Sequence, residues 1–457
     1  MAGAPEVEEP SLTTTGAVSD DAGLSGPVSD DAGLSGPVSD DAGLSGAVSD
    51  DAGLSGVELV EHFSPAPTEG LRIAPLLDAI EAQAETADRT RSVSSDVIEA
   101  IRGTDFMRMS ATPNIGGVEE SMLHMGRELE AVAARCPSLA WCLWNHLCVF
   151  HLFVGSMGPQ QQDFLTDIVT NGHWVSFPGG ARSSVYGRIE GDQAILNGTG
   201  RWGTGARYAD YCGVAFAITG PDGKPVRPMD IRFTIVSTKT EGLKIDPSWD
   251  GAGLRASATD DVHYTDVPVN LSDCVAWYGA NRAESLRSVP VVDHRYREDW
   301  VGISDLWLTW MAVGLVRRAL AEAADAAGGR RVIIGGKMVE RPTVQVNFGR
   351  AAALLAGAAA AVETACNDVD RRIAAGVIPD EADYLRQMAV TSMAVEQLDE
   401  AMSLLHRTQG GTALREGGAF ERRYRDFRAM PVHINVHQDR VTHQLGRHVL
   451  GLELNPF

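Results

Sequence analysis

The hydrophobic pattern of the chain changes twice, and these changes limit the fold more than any other feature. Apolar residues recur at helical spacing between residues 71 and 170. Short β-rich runs separated by Gly, Pro and Asp turn signals replace this pattern from residue 174 to about residue 269. Long helical patterns rich in Ala and Leu return from about residue 304. The sequence therefore predicts an α+β protein in the order α, β, α.

The helical patterns of the last third are typical of an up-down helix bundle. Leu306–Ala327, Val344–Ala375, Glu381–His406 and Asp439–Leu452 are its four expected helices. From these patterns and from the composition we predict four parts. They are a disordered tail at residues 1–58, an N-terminal helical domain at 59–172, a central β-barrel-like domain at 173–275 and a C-terminal four-helix bundle at 276–457.

The tail consists largely of a tandem repeat. Four decapeptides, each ending in VSDDAGLSG, run from Ala17 to Gly56. Each unit offers only Val and Leu for burial, which is too little to offset the entropy lost on ordering its backbone. Residues 1–56 also contain eleven acidic residues and no Lys or Arg, which is half of the net charge of −22. We expect a disordered acidic tail, and its adjacent Asp residues argue against a calcium-binding repeat.

Charge and cysteine usage exclude several classes of protein. The net charge of −22 argues against nucleic-acid binding and against docking on an anionic membrane. The most apolar stretch, Leu139–Val154, is short and interrupted by polar residues, so we expect a buried helix and no membrane span. Six scattered Cys without a CxxC pair, and an N-terminus without the pattern of a signal peptide, predict a cytoplasmic protein.

Two short patterns resemble ligand motifs without their usual context. Gly198–Gly203 matches GxGxxG, but loop and strand patterns follow it and no βαβ unit surrounds it. We therefore expect glycines in a β turn rather than a dinucleotide site. His433 and His437 have the i,i+4 spacing of a zinc pair on a helix, yet no HExxH motif is present and no Glu lies near them. We expect no metal site there.

Two other groups of residues leave a structural and a functional interpretation open. His146 lies in the apolar run Trp141–Leu147, where a lone His is more often a hydrogen-bonded core residue than a functional group. Gly410 and Gly411 precede a cluster of arginines that includes Arg423 and Arg425. Glycines near a helix end followed by basic residues suit an anionic ligand such as phosphate, and a solvated basic face explains the same pattern.

These segments together resemble the acyl-CoA dehydrogenase fold over residues 70–457. Gly410-Gly411 followed by Arg423–Asp426 is similar to the GG and RxxRD stretch of that superfamily. Trp202–Gly205 is similar to the strand whose Ser or Thr contacts the flavin ring. Trp249–Val262 is similar to its WDxxGxR segment. The resemblance implies a helical domain, a β-barrel-like domain and a four-helix bundle, and a homotetramer.

The segment after the RD motif separates two subfamilies of this fold. True acyl-CoA dehydrogenases often carry a Glu base there, whereas residues 427–437 contain no Glu. A His at this place resembles the flavin monooxygenases of the fold, such as dibenzothiophene monooxygenase, hydroxyphenylacetate hydroxylase and the amino-sugar N-oxygenases. Met430 stands where dibenzothiophene monooxygenase has a second His, so sulfoxidation of the same substrate is not implied.

The resemblance implies a two-component enzyme. Such an enzyme receives reduced FMN or FAD from a separate flavin reductase and reacts it with O₂ to give a C4a-hydroperoxide. This species must be kept dry, and it hydroxylates a small organic substrate at an aromatic carbon or at an amine or amino-sugar nitrogen. The implied partners are the reductase, a small molecule and further copies of the chain, without nucleic acid or membrane.

The same resemblance assigns roles to individual residues. His433, expected to titrate near neutral pH, is the predicted proton donor or base. His146 is predicted to orient substrate or peroxide, and Thr204 to hold the proton on flavin N5. The predicted cofactor-binding residues are Trp202, Gly203, Thr204, Gly205, Gly410, Gly411, Arg423 and Arg425, and the predicted substrate-binding residues are Trp141, Asn145, His146 and His437.

Two alternatives to a monooxygenase remain. An acyl-CoA dehydrogenase would purify with bound FAD and would reduce an electron acceptor when given an acyl-CoA. A non-catalytic scaffold of the same fold would use the repeat tail to bind a partner and would bind no reduced flavin.

Overall fold

The computed structural model describes residues 55–66, 69–180, 183–277, 287–333 and 335–454. The four decapeptides predicted to be disordered lie almost wholly outside these residues. The predicted end of the tail at residue 58 is wrong, because helix α1 (Gly56–Phe63) begins before it. Ser55 and Glu58 form a capping box, in which each side chain accepts a hydrogen bond from the main chain of the other.

The N-terminal part of the described chain is helical. Its helices after α1 are α2 (Leu77–Thr90), α3 (Ser95–Arg102), α4 (Met122–Ala133), α5 (Pro137–Met157) and α6 (Gln162–Thr170). Helix α5 begins at a proline, which needs no hydrogen-bond acceptor at that position, and Gly158 ends it with a positive φ of 70°. Its composition would allow a membrane span, but 94% of its apolar window is buried inside the protein. The prediction of a buried helix is therefore confirmed.

A mixed sheet follows the helices. Its strands are β1 (Val175–Ser176), β2 (Ser184–Glu190), β3 (Gln193–Gly203), β4 (Tyr211–Thr219), β5 (Ile231–Ser237), β6 (Leu243–Asp246), β7 (Asp260–Asn270) and β8 (Val275–Ala276). The hydrogen-bonded order is β6-β7-β3-β2-β4-β5-β8, and β1 pairs with β4. The pairings of β4 with β1 and β2 are parallel, and the others are antiparallel.

The GxGxxG match lies inside strand β3, not in a turn as the sequence predicts. Gly198 has a φ of +132°, and a Cβ there would lie 1.9 Å from the carbonyl oxygen of Ser184 on β2. The glycine therefore permits close approach of two strands. A 3₁₀ turn and strand β4 follow, so the structure gives no helix for a dinucleotide phosphate at this point.

The last part of the chain is again helical. It contains α7 (Trp300–Gly328), α8 (Pro342–Ala374), α9 (Glu381–Gln409), α10 (Ala419–Arg428) and α11 (Gln438–Val449). Helix α10 is absent from the four predicted helices because only a few of its residues are apolar. The α–β–α order and the α+β class are as predicted.

Helix α7 joins the two helical parts through its aromatic side chains. The indole Nε1 of Trp307 donates to the carbonyl of Met122 at 3.1 Å. Trp310 packs against Gly126 of α4, where a Cβ would lie 2.1 Å from the indole ring. From the other side, the indole Nε1 of Trp144 in α5 donates to the carbonyl of Ser304 in α7 at 2.9 Å. These contacts fix the spacing between α5 and the start of α7, where the candidate site lies.

Candidate active site

His433 lies against two tryptophans of α5. Its ring centroid is 5.4 Å from that of Trp141 and 5.3 Å from that of Trp144, with interplanar angles of 82° and 85°. The imidazole edge therefore meets the indole rings in a T-shaped arrangement, which is favourable for aromatic pairs. Two tryptophans and one histidine thus form one wall, and this brings together two of the residues predicted from the sequence.

The ring of His433 is held in a defined orientation and charge state. It precedes the 3₁₀ turn Ile434–Val436, and its Nδ1 accepts a hydrogen bond from the main-chain N–H of Asn435 at 3.4 Å. Burial lowers the pKa of His433 to about 4, and the positive charge of Arg440 acts in the same direction. The prediction that His433 titrates near neutral pH is therefore wrong, since the apolar wall and the guanidinium both disfavour the imidazolium.

Asn145 lies on the same helical face as the two tryptophans, four residues after Trp141. Its Oδ1 is buried and has no hydrogen-bond partner among the described residues. A buried carbonyl oxygen without a donor costs roughly 1–3 kcal/mol. Oδ1 of Asn145 is therefore an acceptor without a donor on the helix that carries the two tryptophans.

His146 points away from this wall into the core. Its Nε2 lies 3.2 Å from the carbonyl oxygen of Met107, and its Nδ1 accepts from the main-chain N–H of Val175 at 3.2 Å. Burial lowers the pKa of His146 to about 4. Since both ring nitrogens bond to the main chain, neither is free for substrate or peroxide. The predicted catalytic and substrate-binding roles of His146 are corrected to a structural role.

Replacement of His146 by Ala tests this correction. We expect the free energy of unfolding to fall by about 2–5 kcal/mol, because two buried hydrogen bonds are lost and a cavity forms. Thermal unfolding followed by circular dichroism measures the change, with His443→Ala on the exposed surface of α11 as the control. A His146→Ala variant with parental stability and abolished activity would contradict the structural role.

Thr204 begins a short chain of buried hydroxyls. Its Oγ1 lies 3.1 Å from Oγ1 of Thr259, which lies 2.7 Å from Oγ of Ser257. All three side chains are buried. The carbonyl of Ser257 also accepts from the main-chain N–H of Gly205 at 3.0 Å. These bonds fix the Thr204 hydroxyl at the end of β3, and Thr259 and Ser257 are positioning residues to which the sequence assigned no role.

The backbone beside Thr204 has an unusual conformation. Trp202 has a φ of +59°, and its side chain is 51% exposed. A bulky residue with positive φ is strained, and such strain is found most often at functional sites. Gly205 has a φ of +70°, and a Cβ there would lie 3.1 Å from Nε1 of Trp174. The segment from Trp202 through Gly205 therefore combines an exposed indole with a buried hydroxyl two residues later in the chain.

Two motifs found separately in the sequence contact each other. A Cβ on Gly253 would lie 2.2 Å from the carbonyl oxygen of Arg425 in α10. The main-chain N–H of Leu254 donates to Oδ1 of Asp426 at 2.6 Å. Burial raises the pKa of Asp426 to about 7. The WDxxGxR segment and the RD motif therefore join the sheet region to the C-terminal helices.

Substitution of Gly253 by Ala tests the importance of this contact. The added methyl group has no room against the α10 backbone, so we expect a loss of about 1–3 kcal/mol in the free energy of unfolding. Gly349→Ala in α8 is the matched control, because no atom in the described part of the chain lies within 4 Å of a Cβ at that position. A Gly253→Ala protein whose melting temperature matches that of Gly349→Ala would exclude the close contact.

Arg425 is predicted from the resemblance to bind the cofactor, but its guanidinium is paired within the chain. It pairs with Asp88 at 3.0 Å, with Glu421 on its own helix, and with the carbonyl of Ala252 at 2.8 Å. The hydrogen bonds to the two carboxylates raise its pKa. Because its donors are used within the chain, the predicted role of Arg425 in flavin binding is corrected to a structural one.

Arg423 is also paired, but incompletely. Its Nε and Nη2 donate to the carboxylate of Glu322 in α7 at 2.7 and 2.8 Å. Its Nη1 is buried without a partner among the described residues, as is Nε2 of Gln409, next to Gly410. Among the described residues, no atom would lie within 4 Å of a Cβ on Gly410 or Gly411. Open backbone beside the unpaired Nε2 of Gln409 fits an anionic group such as a flavin phosphate, and the unpaired Nη1 of Arg423 is a second donor in the C-terminal helices.

His437 lies at the start of α11 and not on one helical face with His433. The segment between them is a 3₁₀ turn, so the i,i+4 argument for a shared face does not apply. His437 is half-buried. Within the described ranges, no group of three or more His, Cys, Asp or Glu side chains has the geometry of a metal site.

Comparisons with known proteins extend the resemblance seen in the sequence. The family described as "Acyl-CoA dehydrogenase, C-terminal domain" matches residues 306–438. The oxygenase subunit HsaA of a flavin-dependent monooxygenase from Rhodococcus jostii is 22% identical, over 84% of this chain and 98% of its own. The oxygenase component of an FADH₂-dependent resorcinol hydroxylase from Rhizobium is 24% identical, over 84% and 94%.

A comparison with solved structures finds the same fold. XiaF from Streptomyces, whose structure contains FADH₂ and glycerol, superposes with a TM-score of 0.75 at 17% identity. The match covers 88% of this chain and 98% of XiaF. The predicted fold is therefore confirmed: the chain has the acyl-CoA dehydrogenase fold. The predicted resemblance agrees with the two relatives, which are a flavin-dependent monooxygenase subunit and a hydroxylase component of 22–24% identity.

Proposed function

We propose that this chain is the oxygenase component of a two-component flavin monooxygenase that hydroxylates a small aromatic substrate. Reduced FMN or FAD comes from a separate reductase, as the names of the relatives suggest for those proteins. The observation that carries the proposal is the neutral His433 ring against Trp141 and Trp144. An acyl-CoA dehydrogenase would need a carboxylate base at that end of the chain.

The residues beside Thr204 fit a flavin ring. The exposed indole of Trp202 offers a flat apolar surface, and the buried chain of hydroxyls aims the Thr204 hydroxyl at one place. The phosphate group of the flavin cofactor fits the open backbone at Gly410 and Gly411. The unpaired Nη1 of Arg423 is a further hydrogen-bond donor for this phosphate. When bound, the reduced flavin supplies the electrons that activate O₂ and transfers one oxygen atom to the substrate.

His433 acts in this proposal as a hydrogen-bond donor rather than as a base. Its Nδ1 accepts from a main-chain N–H, so the neutral ring carries its proton on Nε2. A fixed N–H donor in a dry site stabilises negative charge on a substrate oxygen, such as that of a phenol. Trp141 and Trp144 exclude water around it.

The wall also selects the substrate class. Two indole rings favour a flat apolar molecule, while Oδ1 of Asn145 needs one hydrogen-bond donor from it. An aromatic ring with a hydroxyl or amino group meets both requirements. An amino sugar would bring several hydroxyls to a wall that offers few partners for them, so we favour the aromatic substrate over the amino-sugar nitrogen.

A panel assay tests this function. The protein is mixed with chemically reduced FMN or FAD, air-saturated buffer and phenols, aminophenols, amino sugars or acyl-CoA esters, and products are analysed by mass spectrometry with ¹⁸O₂. We expect one ¹⁸O atom in a phenolic product. Oxygenation of amino sugars only, or reduction of an electron acceptor by an acyl-CoA, would contradict the proposal.

The proposal includes a homotetramer and a cytoplasmic location. Apolar side chains are exposed on the C-terminal helices and their connections, namely Val346, Met393, Val432, Ile434, Val449, Leu450 and Leu452. Exposed apolar groups of this kind favour self-association. Sedimentation velocity should give a species of four chains, and a monomer at micromolar concentration would exclude it. All six Cys are free, which suits a reducing compartment.

A further inference from the structure

A polar cluster lies buried behind His433. Ser304 in α7 is fully buried and makes two contacts toward the candidate site. Its Oγ accepts from Nδ2 of Asn435 at 2.7 Å, and its carbonyl accepts from Nε1 of Trp144 at 2.9 Å. One residue of α7 therefore holds both an indole that packs on His433 and the second residue after His433.

Asn435 connects this cluster to the imidazole. Its main-chain N–H donates to Nδ1 of His433 at 3.4 Å, and its carbonyl accepts from Nη2 of Arg440 at 3.1 Å. A main-chain N–H can only donate, so Nδ1 must carry a lone pair and the proton of the neutral ring must lie on Nε2. The side-chain bond to Ser304 keeps the Asn435 main chain in place for this contact.

We infer that Ser304 and Asn435 are positioning residues that hold His433 in the Nε2-protonated tautomer, with this N–H directed away from the turn. The inference deepens the proposed function, because the donor role of His433 depends on this tautomer. The main-chain contact alone is long and therefore weak. The hydrogen bond of the Asn435 side chain to Ser304 restricts the turn, and Trp144 restricts the imidazole ring. Together they keep the contact between Asn435 and Nδ1 of His433.

The charged groups around the cluster support a neutral ring. Arg440 from α11 faces His433 and opposes its protonation. Asp305 from α7 is fully buried, and burial raises its pKa well above the usual range, with Asp299 acting in the same direction and Arg440 against it. The raised pKa of Asp305 disfavours the carboxylate form, which would otherwise offset the charge of Arg440. From α5, the ring meets only Trp141 and Trp144 among its ring contacts.

Nitrogen NMR of the protein labelled with ¹⁵N-histidine tests the inference directly. The two neutral tautomers differ in the ¹⁵N shifts of Nδ1 and Nε2, and the His433 signals are assigned by their loss in His433→Gln. At pH 7.5 we expect a protonated Nε2 and an unprotonated Nδ1. A His433 signal protonated at Nδ1, or an equal mixture of tautomers, would overturn the inference even in a protein that oxygenates its substrate.

Variants then test the two positioning residues. In Ser304→Ala and Asn435→Ala we expect mixed tautomers and a kcat about 10-fold lower, with unchanged affinity for reduced flavin. Thr309→Val is the matched control, because it removes another fully buried hydroxyl of α7 that bonds only within the helix. Parental tautomer and kcat in both variants would overturn the assignment. If the protein shows the expected tautomer but binds no reduced flavin, the proposed function is contradicted and the inference about the tautomer stands.

Discussion

Replacement of His433 by Ala is expected to lower kcat for oxygenation by about 100-fold or more. The variant loses the only imidazole that contacts Trp141 and Trp144 in the described chain, and with it the Nε2 donor toward the substrate. Binding of reduced flavin should change by less than about threefold, because Trp202, Thr204 and the glycine segment are untouched. Single-turnover product formation and an anaerobic flavin titration measure the two effects separately.

His443→Ala on the exposed face of α11 is the control for the loss of a histidine. The pH dependence gives a second check. Because the pKa of His433 is lowered to about 4, its ring stays neutral from pH 6 to pH 8, and kcat should not follow a group that titrates near 6.5. Full turnover by His433→Ala, or a rise in kcat that follows imidazole ionisation, would contradict the donor role.

Removal of the Thr204 hydroxyl is the second substitution with a large expected effect. Thr204→Val keeps the shape of the side chain and removes its donor. We expect product formed per flavin oxidised to fall by on the order of 100-fold, with hydrogen peroxide released instead. Stability should change by only about 1 kcal/mol, because Thr259 keeps its hydrogen bond to Ser257.

Thr199→Val on β3, the strand that precedes Thr204, is the matched control, since its hydroxyl bonds to His263 on β7 and not to the chain of buried hydroxyls. Thr204→Ser, which retains the hydroxyl, should recover most of the product. Product analysis by chromatography and a peroxide assay in the same reaction give the ratio. Equal coupling in Thr204→Val and Thr199→Val would exclude a role of the hydroxyl in oxygen transfer.

The change of hydrophobic period was sufficient to predict the α, β, α order, and the resemblance of several motifs was needed to predict the acyl-CoA dehydrogenase fold. The resemblance predicted roles for Trp141, Asn145 and His433, and the structure places Trp141 and His433 in contact. The sequence could not show which arginines form ion pairs with carboxylates. Arg423 and Arg425 look alike in the RxxRD stretch, but their partners Glu322 and Asp88 are distant in the chain.

His146 shows a second limit of sequence reasoning. The apolar run around His146 is compatible with a core histidine and with a catalytic one. The hydrogen bonds of its ring to the main chain of Met107 and Val175 identify it as a core residue. The Ser304–Asn435 contact was also invisible, because its residues are 131 positions apart and form no motif. The capping box at Ser55 and Glu58 was visible as Ser-x-x-Glu and would have moved the predicted start of the folded chain.

An anaerobic titration with reduced and oxidised flavin tests the central claim most directly. The purified chain, without its reductase, is titrated with reduced FMN, reduced FAD and each oxidised form, and binding is followed by fluorescence and calorimetry. We expect saturable binding of at least one reduced flavin at one site per chain, at least tenfold tighter than its oxidised form. Tight binding of oxidised FAD that acyl-CoA bleaches, or no binding of any reduced flavin, would contradict the account.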